Sequence, residues 1–196
     1  MRSAGATLLL AVAIGAAGCG GSSKPHFVGT QPPDGITMPS FTLRDYRGGV
    51  VTSSSLRGKA VAMTFLDTAC KEACPVIASE AGRARALQTP ADRRATAFYA
   101  VTVDPRVDTP ARVQAFLRRE HALGAVGYLL GTTQQLRPVW RAFSVLPAVS
   151  TGRPSVHSAP VRIYAPDGTW VSELDPTVDL TPKNLAHELH EALKAS

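Results

Sequence analysis

Residues 64–75 read TFLDTACKEACP and hold two of the three cysteines of the chain, Cys70 and Cys74, four positions apart. One sequence pattern gives way to another here. The run that leads in, AVAMTFL at 60–66, is apolar nearly throughout, which predicts a central strand covered on both faces. Beyond the cysteines, Pro75 suits the first turn of a helix, where its missing N–H is not needed. Val76, Ile77, Ala81, Ala84 and Leu87 continue as a rough helical stripe.

Working outward, residues 96–103 predict the next strand. In DPRVDTPA, 104–111, either Asp108 or Thr109 is placed to cap a second helix, with Pro110 at its first position and Val113, Phe116 and Leu117 on its buried side. Residues 128–131 predict a short strand, and 133–143 a short helix with Leu136, Val139 and Trp140 facing in. The Pro/Ser/Gly-rich loop 146–160 carries His157, and loops of this length are often functional. A hairpin turns at 166–168, and Thr181 and Pro182 open a last helix with Leu185, Leu189 and Leu193 on one side. Upstream, 41–43 and 50–52 pair as a short hairpin. Strand–helix–strand units followed by a hairpin and a helix predict an α/β sandwich with a mixed central sheet. Its site belongs where the first buried strand meets its helix.

A chain of 196 residues, 44% hydrophobic, can bury one proper core. The net charge of +6 comes from 21 basic and 15 acidic residues, scattered rather than clustered with aromatics, which predicts no nucleic-acid partner. Residues 1–18 combine Arg2, an apolar run from 6 to 17 and small residues just before Cys19. This predicts a signal segment too short to remain across a bilayer. AAGCG at 16–20 looks like a bacterial lipobox, with Ala16 in place of the usual leucine, so Cys19 is the expected lipidation site. The alternative is a plain secretory signal. Either way the mature protein works outside the cytoplasm, and with a lipid it sits on the outer face of the cell membrane. Residues 19–39 are rich in Gly, Ser and Pro and predict a flexible tether, leaving 40–196 as the domain.

With Cys19 assigned to lipid, the remaining cysteines form a pair. Two thiols at i and i+4 astride a helix start lie ~6 Å apart at Cα, close enough to join or to share a metal. The helix N-terminus and Lys71 favour a thiolate, whereas Asp67 opposes it. A stapling disulfide would close a small loop and remove little chain entropy. Zinc would need more ligands than the sequence offers. Copper(I) is soft and accepts two thiolates with an imidazole, and His157, in a loop just before a strand, is the imidazole to choose. His121, His187 and His190 read as surface residues.

TACKEACP at 68–75 with its CxxxCP, TVDPRVDTP at 102–110, LLGT at 129–132 and His157 shortly before Asp167 and Gly168 together resemble the Sco/SenC family of thioredoxin-fold copper proteins. The resemblance runs from Phe41 to the C-terminus. It implies a thioredoxin-like fold with an added N-terminal hairpin, in a membrane-tethered monomer that binds one copper through Cys70, Cys74 and His157. The implied role is that of a metallochaperone for the copper-site subunit of cytochrome c oxidase or another copper enzyme. Some family members are held to reduce target cysteines instead, and Cys70 and Cys74 would then be a catalytic redox pair. The chain departs from the family at Asp67, where an aromatic is frequent, and at Lys71 and Glu72, where Pro-Asp is common. A thiol peroxidase of the same fold group would need a threonine at Asp67 and a proline at Met63. Asp104 and Asp108 read as turn and cap residues, with support of the site's ligands from behind as the alternative.

Overall fold

The computed structural model describes residues 24–147 and 159–195. The signal segment, Cys19 and loop residues 148–158, His157 among them, lie outside the described residues. In chain order the elements are β1 (Thr42–Asp45), β2 (Val50–Thr52), a 3-10 turn (Ser54–Leu56), β3 (Ala60–Leu66), α1 (Ala73–Leu87) and α2 (Pro90–Ala95). They continue with β4 (Thr96–Thr102), α3 (Pro110–Arg119), β5 (Val126–Leu130), α4 (Thr133–Ala142), β6 (Val161–Tyr164), β7 (Trp170–Leu174) and, last, α5 (Pro182–Ala192). The strands form one mixed sheet in the order β2-β1-β5-β4-β3-β6-β7. Its middle, β5-β4-β3, is parallel. Antiparallel strands extend both sides.

The apolar run at 60–66 is accounted for by two cores. Ala60, Ala62 and Leu66 face one cluster with Ile77 of α1, Phe116 of α3 and Leu185 of α5. Val61, Met63 and Phe65 face the other, with Leu136, Val139 and Trp140 of α4 and with Phe143. A strand buried on both faces cannot alternate, so it reads as continuous hydrophobicity. The alanines on the first face let the helices lie close to the sheet. At ~25 cal/mol per Å² of apolar surface, each large side chain buried here contributes roughly 1.5–3 kcal/mol.

The structure departs from the sequence reading in helix α2, in the exposure of Val76 and Leu87 on α1 and in the tether, and it decides between Asp108 and Thr109 at α3. Helix α2 is unanticipated: it starts at a Thr89 cap with Pro90 behind it but buries none of its residues, so it leaves no hydrophobic period. At the start of α3 it is Thr109 whose side chain caps, accepting from the Arg112 N–H. Asp108 is turned inward. Finally, residues 24–39, the described part of the expected tether, run along the domain. Thr30 bridges Glu173, Thr37 bridges Thr169, and Met38 is buried. Glu188 on α5 accepts the N–H groups of Val28 at 2.6 Å and Gly29 at 3.4 Å. A Cβ at Gly29 would fall 2.5 Å from the Glu173 carbonyl, so only glycine lets the segment approach so closely. Among the described residues no helix is long and apolar enough to cross a membrane.

Candidate functional site

At the end of β3 the backbone must leave the sheet, and Asp67 makes the turn. Its Oδ1 accepts the N–H groups of Ala69 and Cys70, each at 2.7 Å. Its Oδ2 is buried without a hydrogen-bond partner. The turn delivers Cys70 just ahead of α1, and Cys74 falls in the first turn of that helix. Both thiols are free and buried. No side chain caps α1 at Glu72, and the N–H groups of Glu72 and Cys74 are directed instead at the Cys70 sulfur. The sulfur thereby occupies the place of a capping oxygen, where helix N–H groups favour a negative charge.

The two thiols are unequal. A hydrogen bond from Cys74 pushes the Cys70 thiol down to about 6, helped by the two backbone N–H groups and opposed by burial and by the charge on Asp67. Cys74 moves the other way, because donating to Cys70 and being buried both favour its protonated form. The pair therefore titrates as a unit, with Cys70 favoured to lose its proton first and Cys74 to keep it. Lys71 is exposed, and the lowering of Cys70 comes from the neighbouring thiol and the backbone.

A second carboxylate fixes the loop from behind. Asp108 Oδ1 accepts the Thr68 N–H at 2.9 Å and its hydroxyl at 2.7 Å. Oδ2 accepts the hydroxyls of Thr102 at 2.6 Å and Tyr128 at 2.8 Å. Burial raises the pKa of Asp108, and the bonds from Thr102, Thr68 and Tyr128 oppose that rise. Burial and the nearby Asp108 hold Tyr128 well above its ordinary value, so it remains a donor. Asp104 is the turn residue expected, accepting the Arg106 N–H and pairing with its guanidinium at 3.1 Å. Thr68, Thr102 and Asp108 lie in the sequence motifs, whereas nothing local marks Tyr128. The parallel pairing of β4 with β5 puts it beside Asp108.

Of the expected ligands, Cys70 and Cys74 are brought together, and His157 lies outside the described residues. Among the described residues no group of three His, Cys, Asp or Glu side chains is arranged to hold a metal ion. The donor chemistry of the two described sulfurs suits copper: they are soft, and the surroundings of Cys70 favour its thiolate. The segment after His157 is anchored at this end of the sheet. β6 runs antiparallel to β3, and the Thr64 hydroxyl of β3 donates to the Ala159 carbonyl at 3.3 Å. The other histidines are elsewhere: His187 meets the His26 carbonyl at 2.9 Å, His190 meets Asp92 at 3.3 Å, and His121 is exposed with φ 55°.

Comparison with known proteins bears on the fold and the family. Apo Sco1 from Thermus thermophilus superposes with a TM-score of 0.70 at 21% identity, covering 86% of this chain and 98% of that one. The copper-bound ScoI of Bradyrhizobium japonicum gives 0.65 at 27% identity, covering 81% and 100%. The fold is thus thioredoxin-like, with the β1–β2 hairpin added at its N-terminal side. A Stutzerimonas stutzeri protein, named as a candidate copper-binding protein, is 32% identical over 137 residues, 67% of this chain. The match spans 66% of that relative's length. The profile of the SCO1/SenC family matches residues 29–194, and the chain belongs to that family.

Proposed function

We propose that this protein is a membrane-tethered, extracytoplasmic copper-binding protein that assists assembly of the copper centre of cytochrome c oxidase. Copper is its cargo, taken by Cys70, Cys74 and His157, and Cys19 carries the lipid. The observation that carries the reading is the pair of free, buried cysteines brought together at a helix start. The lowering of the Cys70 thiol by its neighbour and by backbone N–H groups favours the thiolate that a soft metal needs. The copper-bound state of the Bradyrhizobium relative supports the choice of metal. Chain geometry supports His157: it precedes Ala159 by two residues, a reach of ~7 Å, and Ala159 is tied to β3 six residues before Cys70. Titration of the reduced protein with Cu(I) tests the reading. One equivalent should bind tightly, Cys70→Ala should abolish binding, and His157→Ala should weaken it. A parent that takes up no copper overturns it.

A second reading, thiol–disulfide exchange with a target protein, is favoured by the inequality of the thiols. Cys70 has the character of an attacking thiolate, and Cys74 could then close on it and release a reduced target. This activity should survive His157→Ala. A reduced parent that leaves every protein disulfide intact removes it.

A further inference from the structure

We propose that the groove bounded by the β1–β2 turn, the 105–110 loop and α4 docks an acidic, extended segment of the protein this site serves. The identity of that partner as the site's target rests on the function proposed above. Two adjoining cavities of about 760 and 630 Å³ share Arg106 and Thr133, and together they form the groove. Tyr46, Leu130, Trp140 and Val145 give it an apolar lining. It opens at the end of the sheet where the parallel strands finish, the same end from which β3 leads to Cys70. Asp108, which lines the groove, is also the residue that holds Thr68 in the cysteine loop.

The charge of the groove is one-sided. Asp45 pairs with Arg47 at 2.6 Å, Asp104 pairs with Arg106, and Asp108 is buried among its donors. Arg44, Arg137 and Arg141 are exposed and make no salt bridge among the described residues. From His121 to Pro166 the chain contains Arg137, Arg141, Arg153 and Arg162 and not one Asp or Glu. A run of that length without a carboxylate leaves α4 no internal partner for its guanidinium groups. Arginine forks pair carboxylates bidentately, so acidic side chains are the matching ligand. A concave floor with apolar lining fits a polypeptide, whose side chains can enter it, better than a flat lipid surface.

Fluorescence anisotropy of the reduced full-length protein with a labelled twelve-residue Glu/Gly peptide tests this, with phosphatidylglycerol vesicles as the other arm. The triple variant Arg44→Glu, Arg137→Glu, Arg141→Glu should bind the peptide on the order of tenfold more weakly or worse. The control Lys59→Glu, Arg94→Glu, Arg118→Glu makes the same charge change at the opposite end of the sheet and should stay within about twofold of the parent. A glutamine triple at the groove positions checks the effect without adding carboxylates, and circular dichroism checks its fold. Equal losses in both glutamate variants, or vesicle binding by a parent that ignores the peptide, overturn the proposal. Cu(I) stoichiometry in the same samples separates the two readings. A parent that binds the peptide but no copper keeps the groove and loses the copper function.

Discussion

The Asp108 carboxylate takes both the backbone N–H and the hydroxyl of Thr68, a residue 40 positions earlier, at 2.9 and 2.7 Å. The loop that carries Cys70 is thereby tied to the end of β4 and the middle of β5, because the same carboxylate holds Thr102 and Tyr128.

Replacing that carboxylate should loosen the loop and the core together. Asp108→Asn puts an amide nitrogen where an acceptor was, opposite hydroxyls or the Thr68 N–H. The expected cost is about 1–3 kcal/mol. Urea denaturation measures it, and faster alkylation of Cys70 should accompany it. A variant as stable as the parent with unchanged alkylation would show that Asp108 does not position the loop.

The Cys70 thiolate should be visible by absorbance at 240 nm with a midpoint near pH 6, against an ordinary 9.0. In Cys74→Ala the hydrogen bond that contributes most to the lowering is gone, and the midpoint should rise. The sign of the stability effect follows. A depressed thiol pKa contributes stability that is full above about pH 9 and is lost as pH falls toward 6. The raised Cys74 works oppositely, since the unfolded chain ionises first, so stability falls again above about pH 9. Thermal melts of the reduced protein across pH 5–10 should therefore pass through a maximum.

Asp67 raises both thiol pKa values through its charge. Asp67→Asn keeps an oxygen for the Ala69 and Cys70 N–H groups and removes the charge. The Cys70 midpoint should move lower still. The dithiol, with its thiolate better stabilised, should become a poorer reductant, so the pair's potential rises. Redox titration against glutathione checks the direction, and a lower potential contradicts it.

The N-terminal segment should depend on Glu188. Removing its carboxylate in Glu188→Ala leaves the Val28 and Gly29 N–H groups without their acceptor. Hydrogen exchange at 28–30 should accelerate while the amides of β3 and β4 stay protected. Gly29→Ala should produce the same pattern through the clash with Glu173. Unchanged exchange in both variants would mean that the segment is held by other contacts.

Local chemistry alone was enough for much of this protein. The run at 60–66 forms a strand with those bounds because every residue on it is buried, and Cys70 and Cys74 stand at a strand-to-helix junction that the sequence spells out. Thr109, Thr132 and Thr181 cap their helices as short-range hydrogen bonding predicts. What tertiary structure decided is what depends on residues far apart. Asp108 could have capped α3, but the neighbouring Thr109 does so, and Asp108 finds inside the protein two hydroxyls from the paired β4 and β5 and a hydroxyl and an N–H from the cysteine loop. Glu188 lies between the apolar positions of α5 and is nevertheless fully buried, because the segment 26–30 folds over it. The inequality of the thiol pair is also a tertiary matter: spacing puts the sulfurs near each other, but the hydrogen bond between them and the N–H groups aimed at Cys70 push one pKa down and the other up. Hydrophobic period and turn chemistry are local and can be read residue by residue, whereas the partner of a buried carboxylate exists only once the chain has closed around it.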